Sequence, residues 1–104
     1  MTKTKLWPLV REYIGVIKND YLHNHNTTEE YTYKSFHYAV GKKYVKVIHG
    51  MVTHSFIVNV VDDEQFKYGD ILKAKSFDTP DRDAACGNVF EPDSYKNVSW
   101  VGCL

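Results

Sequence analysis

The sequence predicts a single α+β domain, with one N-terminal helix packed on an antiparallel sheet of four or more strands. Residues 6–22 carry a helical apolar period, and the chain from about residue 30 onward breaks into β-branched and aromatic runs separated by short turns. At 104 residues it has the size of one domain with one core. The expected organisation is one domain over 1–104, with the helix at 6–22 and the sheet over about 30–104.

In "LWPLVREYIGVIKNDYL", Leu6, Leu9, Val10, Tyr13, Ile14, Ile17 and Tyr21 recur at three- and four-residue spacing and form one apolar stripe. Trp7 falls at its edge, Pro8 is tolerated in a first turn, and Thr4 is the expected cap. Gly15 costs the helix about 1 kcal/mol relative to alanine. "HNHNTTEE" at 23–30 reads as a polar loop. Then "YTYKSFHYAV" alternates, "GKK" turns the chain into "YVKVIHG", and "MVTHSFIVNVV" is a β-branched strand. "DDEQFKYGD" reads as a hairpin loop, "DILKAKS" as a fourth strand and "NVSWVGCL" as a closing strand.

Thirteen basic residues balance thirteen acidic ones, which argues against a general nucleic-acid coat. No stable nucleic acid complex is expected. Aromatic residues reach 14%, a content that suits strands and recognition surfaces. No apolar run has the length of a membrane span, and "MTKTKLWPLV" does not read as a signal peptide. With two cysteines, Cys86 and Cys103, no disulfide framework is expected, and both are read as reduced thiols in a cytoplasmic protein.

Several residues invite a chemical reading. His23 and His25, with Glu29 or Glu30, suggest a metal site, but zinc needs three or four ligands with fixed partners, so "HNHN" is read as a solvated loop. His37, His49 and His54 fall in expected strands, where a general base would need a nucleophile and an orienting carboxylate beside it. Cys86 lies among small residues without a catalytic signature and is read as structural. The expectation is a protein that is not an enzyme and uses neither metal nor cofactor. More informative is a basic and aromatic cluster: Lys42, Lys43 and Lys46 around a tyrosine, then Lys73 and Lys75 before Phe77, with Arg82 following. Lysines meet phosphates and an exposed ring stacks on a base. On residue chemistry alone these lysines read first as a solvated sheet edge.

"KYVKVI" at 43–48, "HSFIV" at 54–58, "GDILKAKSFDTP" at 69–80 and "GNVF" at 87–90 resemble a family of small bacteriophage proteins. That family includes the first type of Thoeris anti-defence proteins, sponges that sequester a cyclic ADP-ribose-type immune signal without cleaving it. The resemblance spans about residues 43–90 and implies a ligand site in "KAKSFDTPDRDAACGN". By position in the motifs it assigns Phe77 to stacking, Asn88 to a base or sugar, and Lys73, Lys43 and Lys46 either to structure or to pyrophosphate, with Lys75 and Arg82 as further candidates for phosphate contact. It also implies a homodimer or higher oligomer in the cytoplasm of a bacterial host. The loop departs from the family pattern in being longer and acidic, and in having Cys86 where the family has arginine before "GN". The expected function is non-catalytic sequestration of a cyclic nucleotide or cyclic ADP-ribose-type signal. The alternative is a small phage inhibitor that binds a host or defence protein through its aromatic surface.

Overall fold

The computed structural model describes residues 6–25, 36–50, 52–95 and 98, with backbone alone for 22–25. Thr4, Asn26, Glu29, Glu30, Cys103 and all of the expected closing strand except Val98 lie outside them. The described chain is α+β: helix α1 (Leu6–His25) followed by β1 (Phe36–Val40), β2 (Tyr44–His49), β3 (Val52–Val58), β4 (Asp70–Lys73) and β5 (Gly87–Asn88). A single 3₁₀ turn, Pro92–Tyr95, comes after β5. The strands form one antiparallel meander in sequence order, β1-β2-β3-β4-β5. No described helix is long and apolar enough to cross a membrane.

The apolar period of α1 becomes its packed face. Leu6, Val10, Tyr13, Ile14 and Ile17 are buried against Val45, Val47, Ile57 and Ile71 of the sheet and Val89 just after β5. Each such side chain contributes about 1.5–3 kcal/mol when fully buried. The helix continues past the expected end at residue 22, so the loop reading of 23–25 is corrected. Beyond Tyr21 there is no apolar residue at helical spacing except Leu22, so the pattern stops before the helix does. Asn and His have middling helix propensity, and extending a formed helix costs little compared with starting one.

Alternation along the strands gives the sheet a second buried face. Phe56, Val58, Phe66 and Leu72 form a smaller cluster away from the helix, with Tyr44, Val60 and Ala74 packed on it. β4 is shorter than the expected "DILKAKS" because Ala74 bridges Pro80 and Lys75 donates to the Thr79 carbonyl at 2.8 Å. The segment 74–80 is therefore a tight hairpin in its own right, with Phe77 and Asp78 at its tip. β5 was not anticipated, since two residues are too few for any periodicity to show. Gly69, between the 59–68 loop and β4, has φ of +89°, and a Cβ there would lie 2.7 Å from the Phe90 ring. Glycine alone meets both demands.

Helix and sheet are also joined by a polar contact. Val47 pairs with Ser55 and Ile48 with Thr53, which leaves His54 as the extra residue of a β-bulge. The bulge places both His54 and Ser55 within reach of Tyr13: its hydroxyl lies 2.8 Å from Ser55 Oγ and 3.5 Å from His54 Nδ1. Burial pushes the Tyr13 hydroxyl well above the ordinary tyrosine range.

Two outcomes follow from this packing. Tyr13→Phe is expected to lower stability by about 1–3 kcal/mol, because Ser55 loses a buried partner, and Ser55→Ala added to it to cost little more. Urea denaturation of the two single variants and the double variant checks this coupling. At Gly15 an added Cβ meets no atom within 4 Å. Gly15→Ala is therefore expected to raise stability by about 0.5–1 kcal/mol, seen as a higher melting temperature.

Candidate functional site

The face of the sheet opposite α1 carries most of the basic and aromatic residues singled out in the sequence. Lys46 lies between Val45 and Val47, which face the helix, so it emerges on this outer face with Tyr44 and Phe56. The β1–β2 turn that presents Lys42 and Lys43 is held closed: Gly41 donates to the Tyr44 carbonyl at 2.8 Å, and Asn59 donates from its backbone to Lys43 and from its side chain to Gly41. Two concavities flank this turn. One, of about 320 Å³, is lined by Val40, Lys42, Lys43, Tyr44, Lys46 and Phe56. The other, of about 490 Å³, is lined by Lys42, Lys43, Val60, Asp62, Asp63 and Arg82 with Glu64. Their combined span lies in the range of small-molecule sites.

Asp63 organises the second concavity. One carboxylate oxygen, Oδ1, accepts from the backbone N–H groups of Gln65 and Phe66 at 2.8 and 2.9 Å and from Arg82 at 2.9 Å. The other, Oδ2, is buried without a hydrogen-bond partner among the described residues, with Lys43 Nζ 3.5 Å away. The side chain is only 1% exposed. Arg82 in turn donates to the Tyr44 hydroxyl at 2.5 Å and lies over the Phe66 ring at 4.9 Å. Gln65 clamps the same segment by donating to the Arg82 carbonyl at 2.6 Å. The loop after β4 is thus fastened across the outer face to the loop after β3.

The six candidate ligand residues separate into groups. Lys46 and Phe77 come together: the ammonium sits 4.1 Å from the ring centroid and pairs with Asp78. Phe77 is 50% exposed, and its carbonyl accepts from Thr53 at 2.7 Å, which ties the hairpin tip to the sheet. Arg82 reaches the same face, but as a partner of Asp63 and Tyr44. Lys73 shares the face of Ile71, opposite to Lys46, and lies 4.0 Å from Asp81. Lys75 is exposed and has no ion-pair partner among the described residues. Asn88 is buried at the far edge, where its amide donates to Tyr68 and Asp70 and its oxygen accepts from Phe90 N–H. Both amide protons are committed, so Asn88 acts here as a structural bracket.

The histidines and cysteine take other places. His49 stacks on Phe36 at 4.0 Å. His54 Nδ1 is 2.9 Å from Ser55 Oγ, an arrangement that resembles a nucleophile with its base. Ser55 and Tyr13 are fully enclosed and His54 is 6% exposed, so no substrate reaches this group. Cys86 is disulfide-bonded, which corrects the expectation of a reduced thiol. Spacing along the chain does not report whether two cysteines approach in space.

Sequence reasoning did not single out Asp63, and it took in Tyr44 only as the tyrosine that Lys42, Lys43 and Lys46 surround. Asp63 carries a local signal, an aspartate accepting from backbone groups two and three residues ahead, as in a loop-capping turn. Its pairing with Arg82, nineteen residues later, has none. Neither a known protein family, nor a curated protein, nor a solved structure matches this chain.

Arg82, and then the Gln65 and Phe66 N–H groups, hold the Asp63 carboxyl well below the usual carboxylate range. The folded protein therefore keeps this group ionised where the unfolded chain would protonate it. Its contribution to stability is complete above about pH 4, the unfolded value, and is lost as pH falls below that. Asp63→Asn retains an acceptor for the turn and removes the charge. Urea midpoints followed from about pH 6 down to about pH 2 are expected to fall less steeply in this variant than in the wild type.

Proposed function

We propose that this protein is a non-catalytic binding protein for a small cyclic nucleotide or cyclic ADP-ribose-type signal, held on the outer face around the Lys42–Lys43 turn. The observation that carries this reading is the concavity that sets the exposed Lys42 beside Lys43 and Arg82, next to the wall of Tyr44 and Phe56. A nucleotide has groups that suit such a site. Its phosphates meet the lysine ammonium groups, and a ribose hydroxyl or exocyclic amine can donate to the acidic side chains that line the same concavity. Tyr44 and Phe56, edge to face at 5.7 Å, supply the apolar wall beside it. Lys46, paired with Asp78, lies at the edge of this wall with Phe77 beside it.

The state of Asp63 supports binding over catalysis. A carboxylate held this far below neutral pH is a weak general base and cannot donate a proton. In this reading the protein sequesters a host immune signal, acting as a homodimer or higher oligomer. It supports a site displaced from the 73–88 segment itself: that segment provides Arg82 and Phe77, while the phosphate contacts pass to Lys42 and Lys43.

Thermal melting and calorimetry with cyclic ADP-ribose isomers and with cyclic di- and trinucleotides test the reading. One of these ligands is expected to raise the melting temperature. Lys42, exposed and without an ion-pair partner among the described residues, is the informative position. Lys42→Ala is expected to weaken binding about tenfold with no change in stability, the loss of one charge-assisted contact. Binding of none of these ligands, or affinity unchanged in Lys42→Ala, overturns the assignment.

A further inference from the structure

Lys46 stands at the concavity of about 320 Å³, beside Tyr44, Phe56 and the Lys42–Lys43 turn, yet its ammonium is already paired with Asp78. The two partners differ in their surroundings. Lys46 rises from β2 between β1 and β3, and its side chain is only 20% exposed. Asp78 comes from the tip of the 74–80 hairpin, and its side chain is 79% exposed. Its carboxylate makes no other contact among the described residues.

The hairpin keeps its shape without this pair. Ala74 bridges Pro80, and Lys75 and Ser76 donate to the Thr79 carbonyl at 2.8 and 3.1 Å. Asp81 donates to the Lys73 carbonyl at 2.8 Å and closes its base. Thr53 Oγ1, donating to the Phe77 carbonyl at 2.7 Å, fixes the tip to the sheet. Lys46 is held from a second side as well, with its ammonium 4.1 Å from the Phe77 ring centroid. Rotation of the Asp78 side chain alone therefore frees the ammonium and leaves both backbones in place. An exposed ion pair contributes little, and a phosphate offers more charge and more acceptor oxygens than one carboxylate.

We infer that Asp78 is an internal competitor for the anion position on Lys46, a carboxylate latch that a phosphate group of the ligand displaces. It rests on the reading of the outer face as the ligand site, and adds to that reading a means of selection. With Asp78 in place, Lys46 is closed to neutral and weakly charged groups. A phosphate opens it and gains a third ammonium beside those of Lys42 and Lys43.

The probe is inorganic pyrophosphate, titrated into the full chain and followed through backbone amide and lysine side-chain resonances. Saturable shifts are expected at the Lys46 ammonium. Asp78→Asn is expected to tighten pyrophosphate binding about two- to fivefold, because an exposed ion pair no longer has to be broken. Lys46→Gln is expected to weaken binding, and Asp78→Asn added to it to restore none of the loss, since the latch acts only through Lys46. The latch is overturned by unchanged or weaker binding to Asp78→Asn, or by an equal gain in the Lys46→Gln background, which marks general repulsion. Absence of a saturable shift at Lys46 in both the wild type and Asp78→Asn overturns it too. The nucleotide reading fails separately. A pyrophosphate gain in Asp78→Asn without binding of any cyclic nucleotide removes that reading and keeps the latch. Cyclic nucleotide binding that depends on Lys42 and is unchanged in Asp78→Asn does the reverse.

Discussion

The buried hydroxyl of Tyr13 is the contact on which the arrangement of helix and sheet turns. Apolar packing would hold α1 against the sheet in several neighbouring positions, because the hydrophobic effect has no direction. A hydrogen bond at 2.8 Å to Ser55 has a direction, and in a dry interior its loss leaves a polar group without water. Ser55 shares the helix-facing side of β3 with Ile57, and the bulge at His54 brings the imidazole to the same hydroxyl.

The two faces of the sheet solve the problem of charge differently. On the helix side the polar groups are few and enclosed. On the outer side the chain uses its own loops as a cover, with opposite charges placed where the loops meet. Arg82 reaches Asp63 and Tyr44, and Lys46 meets Asp78, while on the other side of the sheet Lys73 approaches Asp81. The acidic residues of "FDTPDRD" thereby neutralise lysines that would otherwise be open to an anion. What they leave is Lys42, while Lys43 beside it lies 3.5 Å from Asp63 Oδ2. The loop between β4 and β5 is accordingly both connection and wall: its hairpin tip presents Phe77, and its return builds the edge of a concavity.

Much of this fold was readable from periodicity. The stripe at Leu6, Val10, Tyr13, Ile14 and Ile17 is buried as its spacing requires, and the strands at 44–49 and 52–58 fall within their β-branched runs. Legibility failed where pattern was absent. His23 to His25 extend the helix without an apolar residue to mark them, and Gly87–Asn88 is too short a strand to alternate. Asn88 is the instructive case among the candidate ligand residues. Its position beside a turn suits ligand contact and suits a bracket equally, and its buried bonds to Tyr68, Asp70 and Phe90 give it the second role. Cys86 is similar, since the chemistry of a thiol in sequence is the same whether or not a partner lies near it.

Local preference and burial pattern were enough to specify one helix, an antiparallel sheet and the faces that meet, because these depend on residues a few positions apart. Which charges remain open is a matter of long-range contact. Asp63 and Arg82 are far apart along the chain, as are Lys46 and Asp78, and nothing local distinguishes a neutralised lysine from a waiting one. Folding placed the partners of Lys46, Lys73 and Arg82 within reach and left Lys42 without an ion pair among the described residues. That sorting rests on distances the strand register and loop closure impose, and it moved the candidate ligand contacts from the 73–88 segment to the lysine turn facing it.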